Sequence, residues 1–329
     1  MDCWRRYGFM EGAERAVSAL DLPSKVRDFL EHSWGIQTLH PPQYEAMPSV
    51  LSGTNTLLAI PTASGKSLVA YLGIMKRLLL DDVGSKAVYI VPLKALASEK
   101  FDDLSELCSA AGLTVGLGIG DASAEAKKIE ECDVLVCTSE KLDSLMRNRS
   151  EMMANVSIVI ADEFHLMNDA TRGPTLEINL TRLRHLRPKA QIIALSATVG
   201  NCQDLATWLD ATLILSDWRP VALEYSTFHD LHLEPRLVQS SAMSSDGESL
   251  QPPRDIEGPK SHPTWVVVND TLDQDGQVLV FVGTRRSAQS EALKLSKRVA
   301  KRLAKEDPDR LKKLETFANS LEGRQQTAM

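Results

Sequence analysis

The sequence predicts an α/β fold built on a doubly wound parallel sheet, and three observations support this fold class. Apolar runs of strand length alternate with helix-like stretches between residues 55 and 216. Most of these runs are continuously apolar, as in strands whose two faces are both covered by helices. The 329 residues are 43% hydrophobic and 25% charged, which is typical of a globular protein with a sizeable core. Alternation of this kind favours a parallel sheet with helices on both sides.

The predicted elements follow in order along the chain. In a helical lead-in over residues 1–40, a helix opens after Leu22 and runs to Leu30. Helical periodicity returns over residues 67–80 and 93–107, between strand candidates. The seven predicted strands are residues 55–60, 86–91, 113–117, 133–137, 156–161, 190–195 and 212–216.

The chain divides by composition into further regions. Residues 41–220 are predicted as the α/β domain, and residues 221–275 as a linker or insertion, because 239–263 is rich in Ser, Pro, Gly and Asp. Residues 276–329 are predicted as the start of a second domain that opens with a strand over 277–282. Behind this strand, one helix face is formed by Ala288, Ala292, Leu295, Val299 and Leu303.

Charge and cysteine content exclude several classes of protein. The net charge of −7 argues against a globally basic nucleic-acid coat, although it leaves room for a local groove. No apolar run approaches the length of about 18 residues that a membrane span needs, so no membrane partner is expected. The five cysteines include no CxxC pair and are predicted to be reduced thiols in a cytoplasmic protein. They are Cys3, Cys108, Cys132, Cys137 and Cys202.

The sharpest motif is IPTASGKS, residues 60–67, which follows a predicted strand and opens a predicted helix. Backbone N–H groups at a helix N-terminus form a cradle for phosphate, and Lys66 would reach the β- and γ-phosphates while Ser67 holds Mg²⁺. The motif departs from the strict GxxxxGK[ST] pattern, because Ile60 replaces the first glycine and Ala63 stands where glycine is common. A chance GKS at an ordinary strand–helix turn is the alternative.

A second motif, Asp162-Glu163-Phe164-His165, directly follows the predicted strand 156–161. The carboxyl end of a buried strand is where ligands bind in an open α/β sheet. We expect Asp162 to bind Mg²⁺, and Glu163 to position and deprotonate an attacking water. The alternative is an acidic cluster that only caps a helix N-terminus.

These two motifs resemble motifs I and II of the superfamily 2 DExH-box helicases. Ser196-Ala197-Thr198 is similar to motif III, and Pro41-Pro42-Gln43 resembles the glutamine motif that recognises adenine. Further stretches resemble the Ski-like branch, and within it the archaeal DNA repair helicases that act at stalled replication forks. These stretches are residues 91–101, 138–148, 172–177, 216–220 and 278–288.

The resemblance implies a RecA-like fold, with ATP and Mg²⁺ as cofactors. It implies catalytic roles for Lys66, Asp162, Glu163 and His165, with Ser67 and Asp162 as metal ligands. The residues implied to bind ATP are Gln43, Pro61, Thr62, Ala63, Ser64, Gly65, Lys66, Ser67 and Leu68. His165 would link the ATP site to Ser196 and Thr198. The alternatives are a solvated Gln43 in a loop, a structural histidine, and a simple helix cap at Ser196 and Thr198.

The resemblance also implies a path for a nucleic-acid strand across the ends of the sheet strands. The residues implied to line it are Pro92, Lys94, Thr138, Ser139, Lys141, Arg172 and Gly173, with Thr284 and Arg285 on the second domain. Lysines, arginines, hydroxyls and helix N-termini hold phosphates without reading base sequence. Scattered surface charge is the alternative for each single residue.

The expected function is therefore an ATP-dependent DNA helicase, with 3′ to 5′ polarity by resemblance. Its expected partners are single-stranded or branched DNA and replication or repair proteins, and we expect a monomer. The alternatives are an RNA helicase of the same branch and a non-catalytic binding module; a GTPase is disfavoured because no NKxD-like motif occurs. The sequence has no QxxGRxGR-like arginine motif, so we expect an N-terminal portion of a helicase that hydrolyses ATP slowly by itself.

Overall fold

A seven-stranded sheet forms the centre of the chain's first unit in the computed structural model, which describes residues 15–119, 123–221, 223–239 and 252–327. Its strands are β1 (Thr56–Ala59), β2 (Lys86–Val91), β3 (Val115–Gly118), β4 (Val134–Thr138), β5 (Val156–Ala161), β6 (Gln191–Ser196) and β7 (Thr212–Leu215). They pair in parallel, in the order β3-β4-β2-β5-β6-β1-β7. This confirms the predicted doubly wound parallel sheet, and each strand lies within a few residues of its predicted position.

Helices cover both faces of this sheet. They are α1 (Ser24–His32), α2 (Pro41–Leu51), α3 (Lys66–Lys76), α4 (Lys94–Ala111), α5 (Ser123–Glu131), α6 (Ser139–Arg147), α7 (Gly173–Leu186) and α8 (Cys202–Leu209). Successive strand residues point to opposite faces, so Tyr89 packs in the core under α1–α4 while Val88 packs in the core under α5–α8. The continuous apolar runs are therefore buried on both sides, as the sequence predicts.

The second unit contains residues 223–239 and 252–327. An antiparallel sheet in the order β10-β9-β8 joins β8 (Leu223–His229), β9 (His232–Gln239) and β10 (Arg254–Asp255). Its helices are α9 (Pro263–Asp273), α10 (Arg285–Glu306) and α11 (Pro308–Thr327). The stretch predicted as a linker thus holds regular elements, although its role between domains stays a prediction.

The prediction of a strand over residues 277–282 is wrong in this structure. The segment has no regular secondary structure, and Leu279 and Phe281 are 78% and 86% exposed. A strand exists only through hydrogen bonds to a neighbour, and no strand among the described residues pairs with this segment. The predicted helix behind it does form as α10, but none of its residues is buried.

No helix within the described ranges is both long and apolar enough to cross a membrane. The cysteines Cys108, Cys132, Cys137 and Cys202 are buried free thiols in the first unit. Cys3 lies outside the described residues.

Candidate active site

The predicted phosphate loop connects β1 to α3, which begins at Lys66. Gly65 has a positive φ of 73°, and a Cβ at this position would clash with the Gln43 side chain. Ala63 is also left-handed, with φ 66°, where a side chain is strained. The loop therefore makes its turn despite an alanine at the position where glycine is common. The Ser64 hydroxyl donates to the Pro61 carbonyl oxygen at 2.8 Å, and this buried hydrogen bond stabilises the turn.

Lys66 is buried, and its ammonium lies inside this loop. Nζ donates to the carbonyl oxygens of Ile60 at 3.1 Å and Pro61 at 3.3 Å. Burial lowers the pKa of Lys66, whereas the carboxylates of Glu163 and Asp162 raise it. The lysine of the loop is thus held by two backbone carbonyl oxygens, close to the acidic motif.

Gln43 is only 3% exposed, in the first turn of α2. Its Oε1 accepts from the His40 backbone N–H at 2.7 Å, and Nε2 donates to the carbonyl oxygens of Gly65 at 2.9 Å and Ser64 at 3.2 Å. The alternative of a solvated loop glutamine is therefore wrong. Gln43 ties α2 to the phosphate loop, and its contact with adenine stays a prediction.

Asp162 follows β5 directly and is 8% exposed. Its Oδ2 accepts from the Tyr89 hydroxyl at 2.9 Å, and its Oδ1 accepts from the Glu163 backbone N–H at 2.8 Å. Burial raises the pKa of Asp162, and these two hydrogen bonds lower it. Glu163 has a left-handed backbone, with φ 50°, an unusual conformation that turns the chain at the end of the strand.

β6 lies between β5 and β1 in the sheet, so the segments that follow these three parallel strands share one edge. The Ala197 backbone N–H donates to His165 Nδ1 at 3.4 Å, and Nδ1 lies 3.4 Å from Glu163 Oε2. The structure therefore joins the second motif to the end of β6 through His165.

Ser196 and Thr198 have different environments. Ser196 is fully buried at the end of β6 and donates to the Ala197 carbonyl oxygen at 2.7 Å, while Thr198 is exposed in the following loop. The next helix, α8, begins at Cys202 and has Asn201 as its N-cap. The alternative that Ser196 and Thr198 simply cap a helix is wrong.

The residues predicted to contact nucleic acid lie at the same edge of the sheet in the first unit. Pro92 follows β2, and Lys94 is the first residue of α4. Thr138 ends β4 and caps α6, where its Oγ1 accepts from the Lys141 backbone N–H at 3.4 Å; Ser139 begins α6.

Arg172 and Gly173 open α7, and a side chain on Gly173 would clash with the Met167 carbonyl oxygen. A small cavity brings part of this set beside the acidic motif. Its polar and charged lining includes Ser139, Glu140, Asp162, Glu163 and Arg172, and Pro92 also contributes. In the second unit, Thr284 caps α10 and Arg285 is its first residue.

Tyr89 was missed by the sequence reasoning. Its only signal is one hydroxyl within the apolar run KAVYIV of β2, where a buried phenol needs a hydrogen-bond partner. Which carboxylate supplies that partner depends on the pairing of β2 with β5, and periodicity does not reveal it.

The oxygen donors present fit a magnesium ion. Asp162 offers a buried carboxylate and Ser67 a hydroxyl, and Mg²⁺ favours one or two such ligands together with nucleotide phosphates and water. Across the described part of the chain, no three His, Cys, Asp or Glu side chains are grouped to hold a metal by themselves. The site therefore suits a metal that arrives with a phosphate ligand.

The fold and this site are typical of phosphate-loop nucleotide-binding domains. The sequence model of the DEAD/DEAH box helicase family matches residues 40–205, half of the chain, and the protein belongs to this family. Two relatives are named ATP-dependent DNA helicase Hel308. The one from Methanocella arvoryzae is 40% identical over 91% of this chain and 38% of its own, and the one from Thermococcus kodakarensis is 42% identical over 91% and 24%. The chain thus spans well under half the length of these relatives.

Solved structures agree on the fold. Helicase Lhr of Mycobacterium smegmatis, bound to single-stranded DNA and AMP-PNP, superposes with a TM-score of 0.53 at 29% identity, covering 61% of this chain and 28% of Lhr. The DNA-bound DUF1998 helicase MrfA gives the same TM-score at 23% identity over 60% of this chain and 30% of its own. The expected RecA-like helicase fold is confirmed.

Proposed function

We propose that the protein is an ATP-dependent DNA helicase that binds Mg²⁺-ATP and moves on single-stranded DNA. The observation that carries this proposal is the placement of Lys66 and the Asp162-Glu163 pair at one edge of the sheet, with Asp162 buried and held by two hydrogen bonds. The names of the two Hel308 relatives support DNA as the substrate class.

Phosphate binding begins with the loop between β1 and α3. Its N–H groups and Lys66 would bind the phosphates, and Lys66 would exchange the Ile60 and Pro61 carbonyls for phosphate oxygens. Gln43, already hydrogen-bonded to the loop, would place adenine beside it. Leu68, in the first turn of α3, follows the loop and completes the predicted nucleotide site.

Hydrolysis requires a positioned water and a group that accepts its proton. Ser67 and Asp162 would hold Mg²⁺, which, when bound, neutralises phosphate charge. Glu163 is partly exposed, with 33% of its side chain accessible, so its carboxylate can reach a water at the site. It would orient that water and accept its proton as the water oxygen bonds to the γ-phosphorus and the bond to the β–γ bridging oxygen breaks, which releases ADP and phosphate.

Coupling to strand movement would run through His165. This side chain contacts both Glu163 and the Ala197 backbone, so a change at the carboxylate can alter the loop that holds Thr198. The DNA strand itself would lie against the residues predicted to bind nucleic acid, which would contact its phosphates and not its bases. We further propose a cytoplasmic monomer that works with replication or repair proteins.

The decisive experiment is ATP turnover with Mg²⁺, with and without single-stranded DNA, beside a Lys66→Ala control. We expect hydrolysis by this chain that single-stranded DNA stimulates and that the Lys66→Ala control loses. The rate should be slow, because the sequence has no QxxGRxGR-like motif. A matched RNA strand distinguishes the alternative: equal stimulation and equal binding by RNA would favour an RNA helicase. Nucleotide binding with no turnover under any condition would favour a non-catalytic module.

A further inference from the structure

We propose that Tyr89 is a positioning residue that orients the Asp162 carboxylate for magnesium binding. This inference rests on the proposed nucleotide function. Tyr89 lies in β2, whereas Asp162 follows β5 and Ser67 lies in α3, and Tyr89 belongs to none of the motifs described above.

The geometry at Asp162 carries the first step. Tyr89 lies in β2, in register with Ile160 of the adjacent β5, so its phenol reaches the residue that follows β5. Its hydroxyl donates to Oδ2 while the Glu163 N–H donates to Oδ1. With one donor on each oxygen, the plane of the carboxylate is fixed, and each oxygen keeps a lone pair for a metal or its water.

The second step is that the surrounding core holds the Tyr89 phenol in place. Its side chain is fully buried in the core beside α3, and β2 is paired on both sides by β4 and β5. The Tyr89 hydroxyl is therefore held in a fixed position relative to the end of β5, where Asp162 would bind the ion. Side chains that orient metal ligands in this way affect metal affinity strongly.

Tyr71 supplies a matched control within the same core. It packs against Tyr89 with ring centroids 6.0 Å apart. Its hydroxyl, however, donates to Asp103 of α4 at 2.9 Å and not to Asp162. Tyr71→Phe therefore removes a buried phenol hydroxyl of the same kind without removing a hydrogen bond from the predicted metal ligand.

The test compares Tyr89→Phe, Tyr71→Phe and wild type by titration with a fluorescent ATP analogue, in EDTA and over a range of Mg²⁺ concentrations. For Tyr89→Phe we expect the Mg²⁺ needed for half-maximal enhancement of nucleotide affinity to rise on the order of tenfold. Affinity in EDTA should stay unchanged, because the phosphate loop is intact. Tyr71→Phe should stay within about twofold of wild type in both conditions, since Asp162 keeps its donor.

Two further measurements separate positioning from packing. Mn²⁺ binding in the presence of nucleotide, followed by electron paramagnetic resonance, should weaken in Tyr89→Phe alone. In an Asp162→Asn background, Tyr89→Phe should add no further loss of metal affinity, because the carboxylate that it orients is gone.

An unchanged Mg²⁺ requirement in Tyr89→Phe would overturn the inference. So would an equal loss in both phenylalanine variants, or a loss that appears equally in EDTA, because these outcomes indicate general packing. A wild-type chain that binds the analogue without any response to Mg²⁺ would overturn the metal site itself. No binding by wild type, with or without metal, would overturn the proposed nucleotide function.

Discussion

Two apolar runs of equal length adopt different structures in this molecule. Residues 86–91, KAVYIV, form β2, which is paired on both sides by β4 and β5 and is almost wholly buried. Residues 277–282, QVLVFV, form no strand and expose Leu279 and Phe281. The difference shows that an apolar run of this kind can form a strand, but does so only where neighbouring strands supply hydrogen bonds to its backbone.

The predicted site residues of the two units differ in the same way. The phosphate loop, Asp162 and Glu163 each follow a strand that the sheet holds in place, so their positions are set by buried backbone pairing. Thr284 and Arg285, predicted to contact nucleic acid, follow the run that stays unpaired. The first unit therefore holds its predicted site residues at the ends of paired strands, whereas the second unit holds its predicted residues at the start of an exposed helix.

The largest expected effect separates a site carboxylate from a structural one. Glu163→Gln keeps the shape of the side chain but removes the proton acceptor, so ATP turnover should fall about 10²- to 10⁴-fold. Nucleotide affinity should change little. Asp270→Asn in the second unit, where Asp270 is paired with Arg254 at 2.8 Å, is the matched carboxylate-to-amide control and should leave turnover near wild type. Equal losses of ATP turnover in both variants would contradict the assignment of the site to the first unit.

A second comparison makes one substitution in both regions. Leu58→Ala removes a fully buried side chain from β1, and we expect about 2–5 kcal/mol lower free energy of unfolding. Leu279→Ala removes a side chain that is largely in solvent, and we expect a change within about 0.5 kcal/mol. Urea unfolding followed by circular dichroism measures both. A Leu279→Ala loss as large as that at Leu58 would mean that the run 277–282 is packed in solution.

The sequence predicted much of the first unit because local and tertiary preferences agree there. All seven strands, the phosphate loop before α3 and the acidic pair after β5 were placed within a few residues. The fate of 277–282 could not be predicted, because its apolar pattern matches β2 and only the presence of partner strands distinguishes them.

The fine structure of the site was also beyond the sequence. The burial of Gln43 depends on where α2 packs relative to Gly65, and the contact between Tyr89 and Asp162 depends on the β2–β5 pairing. Both are consequences of tertiary arrangement, which residue types and spacing do not encode directly. The roles assigned to these residues stay predictions until they are tested.

The thiols offer a third test, because all four described cysteines belong to the first unit. Burial raises the pKa of Cys108 and Cys137 to about 12, so at pH 8 almost none of either thiol is the reactive thiolate. In a Cys3→Ser chain, alkylation by iodoacetamide should be at least about tenfold slower in the native state than in urea. Fast alkylation under native conditions would mean that the sheet opens readily.

The smallest expected effect lies in the phosphate loop itself. Ala63 has φ 66°, a conformation that costs an L-residue roughly 1–2 kcal/mol and costs glycine almost nothing. Glycine also loses more entropy on folding, by about 0.4–1 kcal/mol, so Ala63→Gly should stabilise the first unit by about 0.5–1 kcal/mol.

The same substitution at Ala292, an exposed position inside α10, should destabilise that helix by about 1 kcal/mol, because the helical conformation suits alanine. Urea unfolding of both variants measures the two signs, with hydrogen exchange assigning each change to its unit. If Ala63→Gly destabilised the chain, the left-handed turn would not exist in solution. The cradle that places Lys66 and Ser67 would then have to form only when phosphate binds.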